Sequence, residues 1–328
     1  MKLATVGTSW ITERFLRAAA VTEGLEPYGV FSRSIDKANE FGTPHGATAF
    51  YDDYQQLLDD SKVEIVYIGA PNSLHFGYMD RAIDAGKAVI CEKPFVSTMK
   101  EFQQIKRKVV EKRAFVFEAI TTLSMPNFAC IKENIKKIAP VRIAKVDFSQ
   151  YSSRYPQLQA GERTNIFDPA FSGGALYDLG VYGIHLTVGL FGAPQDVVCF
   201  SNSEQYSIDT SGMLLLKYPD KVCNITFSKD THSTTLTEFQ GEHGYLTIRG
   251  STGRCDHVGL ALAGEEKRNV SLTQSDNPMD YEAAAFVKAI QNDDWDYVLR
   301  ALNQSEIVMD VLCKARKSAG IVFAADGK

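Results

Sequence analysis

The chain has 328 residues, 45% of them hydrophobic and 23% charged, with a formal net charge of −5. This length suits two domains better than one ordinary core, and the composition is that of a globular protein, which excludes bulk disorder. The mildly acidic balance, with no run of Lys and Arg, excludes a nucleic-acid-binding patch.

The opening run Met1-Lys2-Leu3-Ala4-Thr5-Val6-Gly7 turns polar too early for a signal peptide and reads as a strand over residues 3–6. Helical spacing follows over 12–21, a strand over 28–31 and helical stretches over 36–41 and 54–58. A buried-strand run covers 63–68, a helix 76–85 and a strand 88–91. A helix over 100–112 buries Ile105, Val109 and Val110, and a strand over 114–117 closes the series. Continuous apolar strands between helices predict an α/β domain, its parallel sheet doubly wound and covered on both faces.

After Met125-Pro126 the rhythm changes. A helix over 128–138 precedes alternating segments at 141–148, 197–202, 213–218, 222–227, 234–240, 245–249 and 258–263. Breaks such as Tyr218-Pro219-Asp220-Lys221 and Glu242-His243-Gly244 are hairpin-like, so this part is expected to form a large, open, mostly antiparallel sheet. Helices over 280–292 and 304–323 end the chain, and the expected domains are 1–121 and 122–328.

No apolar stretch reaches the ~18–20 residues needed to span a bilayer. Cys91, Cys130, Cys199, Cys223, Cys255 and Cys313 form no C-x-x-C and have no His at ligand spacing. Buried, reduced thiols, no metal and a cytoplasmic compartment are therefore expected.

A strand ending in Gly7 and leading into a helix is where a doubly wound sheet binds a dinucleotide's pyrophosphate, through backbone N–H groups and the helix dipole. The run Gly7-Thr8-Ser9-Trp10-Ile11-Thr12 keeps one of the three usual glycines, with the small Ser9 and Thr12 standing in, so by itself it also fits an ordinary strand-to-helix turn. The second strand ends in Ser32-Arg33-Ser34, with Lys37 close by, and lacks the acid that would bind the ribose 2′-OH of NAD. A Ser and an Arg suit a 2′-phosphate, so NADP(H) is the expected cofactor and NAD(H) the alternative, with Arg33 then solvated or stacked on adenine.

Two further loops fall at carboxyl ends of strands, where open α/β sheets bind ligands. One carries Ala70-Pro71-Asn72-Ser73-Leu74-His75, the other Glu92-Lys93-Pro94. Pro94 restricts the residue before it, so Lys93 is expected to project with little freedom, although a Lys taken alone reads as a surface charge.

Together these loops resemble the two cofactor-side signatures of the Gfo/Idh/MocA dehydrogenase family. Gly173-Gly174-Ala175-Leu176-Tyr177-Asp178-Leu179-Gly180-Val181-Tyr182 is similar to that family's third signature, Gly-Gly-x-Leu-x-Asp-x-Gly-x-(His or Tyr). Tyr182, and Glu118-Ala119-Ile120, are similar to the branch of dihydrodiol dehydrogenases and glucose–fructose oxidoreductase. The resemblance implies a Rossmann domain and an α/β domain whose open sheet serves dimer contacts, hence a homodimer or dimer-based oligomer. It implies hydride exchange between nicotinamide and a sugar, polyol or cyclic diol. It also implies cofactor contacts from Gly7 to Ile11, at Ser32, Arg33 and Lys37, and at Ala70, Pro71, Asn72, His75, Glu92, Lys93 and Pro94.

Hydride transfer leaves a proton to manage and an oxygen charge to stabilise. Asp178, Tyr182 and His185 fall at helical spacing on one side. The expected roles are Tyr182 as acid/base, Lys93 as the charge that lowers its pKa, and Asp178 as the group that orients Lys93 or binds a substrate hydroxyl. His185 is either a relay or substrate contact, or a core histidine. The loop 151–169, with Tyr155, Arg163 and Asn165, suits a polyhydroxylated ligand or an ordinary exposed loop. A glycosidase that retains NAD and a non-catalytic nucleotide-binding regulator are the competing functions on the same fold.

Overall fold

The structure, a computed structural model, describes residues 1–203 and 205–327. It divides into two units: Met1–Ala119 with Ser275–Ser305, and Ile120–Gln274 with the chain from Glu306 onward.

The first unit alternates β1 (Lys2–Val6), α1 (Trp10–Val21), β2 (Glu26–Phe31), α2 (Ile35–Gly42), β3 (Ala49–Tyr51), α3 (Tyr54–Asp59), β4 (Ile65–Ile68), α4 (His75–Asp84), β5 (Ala88–Glu92), α5 (Met99–Lys112) and β6 (Val116–Ala119). The six strands are parallel in the order β3-β2-β1-β4-β5-β6, so the chain reverses direction across the sheet between β1 and β4, where such folds open a ligand crevice. The register Thr5, Tyr67, Ile90, Phe117 runs straight across one face. The edge strand β3 has three residues, too few to show alternation, and the sequence pattern misses it.

The second unit opens with α6 (Thr121–Ser124), α7 (Pro126–Asn134), β7 (Val141–Ser149), α8 (Tyr155–Gln159) and α9 (Val181–Phe191). It continues with β8 (Asp196–Asn202), β9 (Ser211–Lys217), β10 (Val222–Ser228), β11 (Leu236–Gly241), β12 (Gly244–Arg249), β13 (His257–Leu262) and β14 (Arg268–Asn269). These strands form one sheet, ordered β14-β13-β12-β11-β7-β10-β9-β8. It is antiparallel apart from β7 with β10. One face is the core: Cys199, Leu214, Leu216, Cys223, Ile225, Phe227, Phe239, Leu246 and Ile248 are all buried. Helix α9 crosses this face closely, since a Cβ on Gly183 would lie 2.6 Å from Ile225. Helix α7 stops at Asn134, four residues short of the expected end, in a short 3₁₀ turn ahead of Pro140, which has no N–H to continue a helix.

The structure groups the chain differently from the expected 1–121 and 122–328 in one respect. Helices α10 (Met279–Gln291) and the first part of α11 (Trp295–Ser318) belong to the first unit. Aromatic packing draws them there: Phe286 stacks on Phe117 with centroids 4.7 Å apart, and Trp295 meets Phe115 edge to face. Strand β6 and the residue before it had to present those rings before this pairing was visible. Helix α11 also begins nine residues earlier than the pattern suggests and ends before Gly320, whose φ of +68° suits a helix stop.

Candidate active site

Gly7 has φ +104°, and a Cβ there would lie 2.8 Å from the Gly69 carbonyl oxygen. Its N–H donates to the Phe31 carbonyl at 3.1 Å, so the ends of β1, β2 and β4 meet at this glycine. Only glycine fits both the backbone conformation and the space. Ser9 caps α1, its hydroxyl accepting from the Thr12 N–H at 3.4 Å. Thr12 is buried against Gly69, where a Cβ would lie 2.5 Å from the Thr12 hydroxyl oxygen. The missing second and third glycines are thus replaced by a capping serine and a threonine–glycine contact. Thr8 and Ile11 are half-buried at this turn, and Trp10 is 67% exposed.

At the end of β2, Ser34 caps α2 by accepting from the Lys37 N–H at 3.4 Å. Ser32 is half-buried, and Arg33 and Lys37 are exposed. Arg33 and Lys37 flank this helix N-terminus, whose first turn also carries Asp36; with no carboxylate on the strand end itself, the place suits a phosphate monoester. The Gly7 cradle and the α1 N-terminus fit the pyrophosphate of a dinucleotide, and Ser32 with Arg33 fit a 2′-phosphate.

The loops after β4 and β5 are fastened together. His75 is wholly buried, with Nδ1 2.9 Å from the Pro94 carbonyl oxygen and Nε2 2.9 Å from that of Ala70. Burial, aided by repulsion from Lys93, pushes its pKa down, against the pull of both carbonyls. A neutral ring donates one of these two bonds at a time. His75 is therefore a tie between loops. Ala70, Pro71 and Asn72 are half-buried on the same loop.

The Lys93–Pro94 peptide is cis. Behind it, the Tyr67 hydroxyl donates to Glu92 Oε1 at 2.7 Å. Burial raises the Glu92 pKa to about 7, against the opposing pull of Lys93 and the Tyr67 bond. Just beyond the proline, Glu118 accepts from the Phe95 N–H at 3.0 Å and from the Ser305 hydroxyl at 2.6 Å. Lys93 itself is half-buried. The sequence marks Glu118 only as a branch signature; the structure makes it the anchor of the Lys93 loop.

Glu282 on α10 is a group the sequence reading missed. It is fully buried, and neither of its carboxyl oxygens has a hydrogen-bond partner among the described residues. Burial, then repulsion from Glu92, raises its pKa well above the carboxylate range, while Arg14 pulls the other way.

In the second unit, the Gly173–Gly174 loop feeds a wide π-helical turn, Leu176–Gly180, which runs into α9. Such turns recur at functional sites. A Cβ on Gly174, where φ is +99°, would lie 2.0 Å from Asp209 Oδ1. Asp209 holds this turn, accepting the Leu176 N–H on Oδ2 at 2.6 Å and the Ala175 N–H on its carbonyl at 3.0 Å. Burial raises the Asp209 pKa to about 6, against those N–H bonds and Lys229.

Asp178 and Tyr182 leave this turn into different surroundings. Asp178 pairs with Lys229, with side-chain exposures of 19% and 9%. The half-buried Tyr182 ring meets Phe148 edge to face at 5.3 Å and packs on Gly253, where a Cβ would lie 3.1 Å from the ring. His185, one turn on, is fully buried. Neither Lys229 nor Asp209 was among the expected site residues. Their signal was available for Lys229: continuing the alternation of β10, it falls on the inner side with Ile225 and Phe227.

The loop 151–169 is aromatic as well as polar. Tyr155 meets Tyr151, Phe167 and Tyr206, and Tyr151 stacks on His232 with centroids 4.8 Å apart. Arg163 and Asn165 are exposed, and Arg163 donates to the Tyr206 carbonyl at 3.3 Å.

Comparison with known proteins matches residues 1–119 to a family model described as an oxidoreductase family with an NAD-binding Rossmann fold, and residues 135–254 to the Gfo/Idh/MocA C-terminal domain. The scyllo-inositol 2-dehydrogenase (NADP(+)) of Bacillus subtilis is 34% identical over 326 residues, 99% of each chain. Human trans-1,2-dihydrobenzene-1,2-diol dehydrogenase is 25% identical over 310 residues, 90% of each chain. Among solved structures, a 3-ketoreductase from Actinomadura kijaniata in complex with NADP and TDP-benzene superposes with a TM-score of 0.84 at 22% identity, covering 98% of this chain and 99% of that one.

Proposed function

The chain belongs to the Gfo/Idh/MocA family of oxidoreductases, and from that membership we propose that this NAD(P)-dependent oxidoreductase prefers NADP(H) and acts on a cyclic polyol, diol or sugar. Ser32 and Arg33 support the cofactor preference, as does a relative named for NADP(+). The substrate class follows from two relatives named for an inositol and for a dihydrobenzenediol, both six-membered rings with neighbouring hydroxyls.

A dinucleotide held at Gly7, Ser32 and Arg33 would supply hydride exchange with the carbinol carbon. The chain's own residues manage the oxygen and its proton. Tyr182 takes the proton in oxidation and returns it in reduction. The Lys93 ammonium stabilises the phenolate and the developing alkoxide. The ion pair with Lys229 favours Asp178 as acceptor for a substrate hydroxyl over a role in orienting Lys93. The complete burial of His185 favours packing over relay. Tyr155, Arg163 and Asn165 line the substrate loop.

The observation that carries this reading is the Lys93 loop, held behind by Glu92, across by His75 and beyond by Glu118. A surface lysine needs no such support. Titration with NADPH and NADH, followed by a screen of inositols, cyclic diols and sugars, tests it. The expected result is tighter NADPH binding and turnover of a cyclic polyol by an exchanging cofactor. Nucleotide that survives dialysis points instead to the redox-relay glycosidase, and binding without turnover to the regulator.

The outer face of the second unit's sheet exposes Val198, Phe200, Met213, Leu215 and Val222, with Phe200 at 70%. We take this apolar face to be covered by a second copy of the chain. Sedimentation as a monomer at micromolar concentration would overturn that assignment.

A further inference from the structure

We propose that Lys229 is a positioning residue of this active site, its buried ammonium fixing the Asp178 carboxylate as the acceptor for a substrate hydroxyl. The inference rests on the reading of Asp178 given above.

Lys229 follows directly on β10, and its backbone is still held on both sides. Its N–H donates to the Thr210 carbonyl at 2.8 Å, and its carbonyl accepts from the Ser152 N–H at 2.8 Å. The alternation that turns Cys223, Ile225 and Phe227 inward carries on to Lys229. A cation thus stands where the sheet otherwise presents apolar side chains to the π-turn and α9. Burying an ammonium is costly unless it is paired, and an apolar residue of similar volume often stabilises such a place better. Stability alone does not explain a lysine here.

The charges around Lys229 show what it does. Asp178, on the π-turn, is its ion-pair partner. Asp209, on the loop before β9, also acts on it electrostatically, but its Oδ2 accepts the Leu176 N–H and its buried Oδ1 receives no hydrogen bond from Lys229, whose ammonium bonds Asp178. The neighbouring Asp230 is turned away, accepting from the hydroxyls of Thr210, Ser211 and Ser228 at 2.6, 3.1 and 2.8 Å. Lys229 therefore serves Asp178 before any other carboxylate. The pair holds Asp178 in one rotamer, while 19% of its side chain stays exposed for a ligand. A fixed carboxylate accepts a hydroxyl proton donor without first being ordered.

The test uses Lys229→Met, Lys229→Arg, Asp178→Asn and the double variant Lys229→Met/Asp178→Asn. Steady-state kinetics with the polyol found by the screen are read beside NADPH affinity and thermal melting. Lys229→Met and Asp178→Asn are each expected to raise KM about ten-fold or more, the loss of one hydrogen bond to a charged group. The double variant is expected to be no worse than Asp178→Asn, and Lys229→Arg to recover KM to within about three-fold, since guanidinium pairs equally well with carboxylate. A wild-type KM in Lys229→Met, or single effects that multiply in the double variant, overturns the inference. If Lys229→Met does not fold, Lys229→Gln is read by the same criteria. An Asp178→Asn variant with unchanged kinetics overturns the role given to Asp178 itself, and this inference with it. A damaged Asp178→Asn beside an undamaged Lys229→Met overturns the inference alone.

Discussion

The Tyr67 hydroxyl and the Glu92 carboxylate form a 2.7 Å hydrogen bond inside the first unit, where Tyr67 has no exposed surface. Phe15 stacks on the Tyr67 ring with centroids 4.0 Å apart, which leaves the ring one position. The residue preceding Lys93 is thus held by the neighbouring strand β4, and not only by its own strand. Removing the hydroxyl strands a buried acceptor. Tyr67→Phe is expected to cost about 1–3 kcal/mol in urea unfolding. A loss below a few tenths would show that water reaches Glu92.

Glu92 titrates at about 7 in the folded chain, well above its ordinary value of 4.5. Its folded pKa is raised, so its contribution to stability is fully present below about 4.5 and is lost as pH climbs to about 7. Glu282 is raised by burial too, so its share is likewise lost as pH rises. Urea unfolding at pH 5 and pH 8 should show the wild type losing more stability across that interval than either Glu92→Gln or Glu282→Gln. Equal losses in all three proteins would contradict the burial argument.

On the proposed mechanism, Tyr182→Phe removes the acid/base proton and Lys93→Met the balancing charge. Each is expected to lower kcat by roughly 10²–10⁴. NADPH affinity of Tyr182→Phe should stay at the wild-type value, because the phenol acts on the substrate oxygen. Wild-type turnover in both variants would remove these residues from the chemistry.

Arg33→Ala is expected to weaken NADPH roughly ten- to hundred-fold, the worth of a charge-assisted bond to the 2′-phosphate. NADH affinity should not change. Parallel loss for both nucleotides would place Arg33 on the adenine and not on the phosphate.

Gly174→Ala places a Cβ 2.0 Å from Asp209 Oδ1 at a φ of +99°. The backbone and the carboxylate cannot both keep their positions, so a loss of about 1–3 kcal/mol is expected in thermal melting. Gly46→Ala is a control for φ alone, since its Cβ would meet nothing within 4 Å at φ +84°. Equal losses at the two sites would show that Asp209 yields freely.

Most of the doubly wound sheet was legible because each buried parallel strand is a continuous apolar run and each covering helix shows its own period. The three signature segments were legible because their chemistry is local: a proline beside Lys93, two glycines before Asp178. The return of α10 to the first unit was not, since its helical period says nothing about which aromatic rings will receive Phe286. The incomplete glycine fingerprint was ambiguous for a similar reason. Gly69 and Thr12 share the work of a missing glycine, and they lie 57 residues apart.

The sequence by itself determined the two-part architecture and singled out the turn at Gly7, and Lys93, Asp178 and Tyr182, as candidates for the site. Tertiary structure alone decided their partners: Tyr67 behind Glu92, Glu118 past Pro94, Lys229 against Asp178, Asp209 under the π-turn. Period and motif report on neighbours along the chain, whereas the energy of a buried charge is set by whatever the fold places against it.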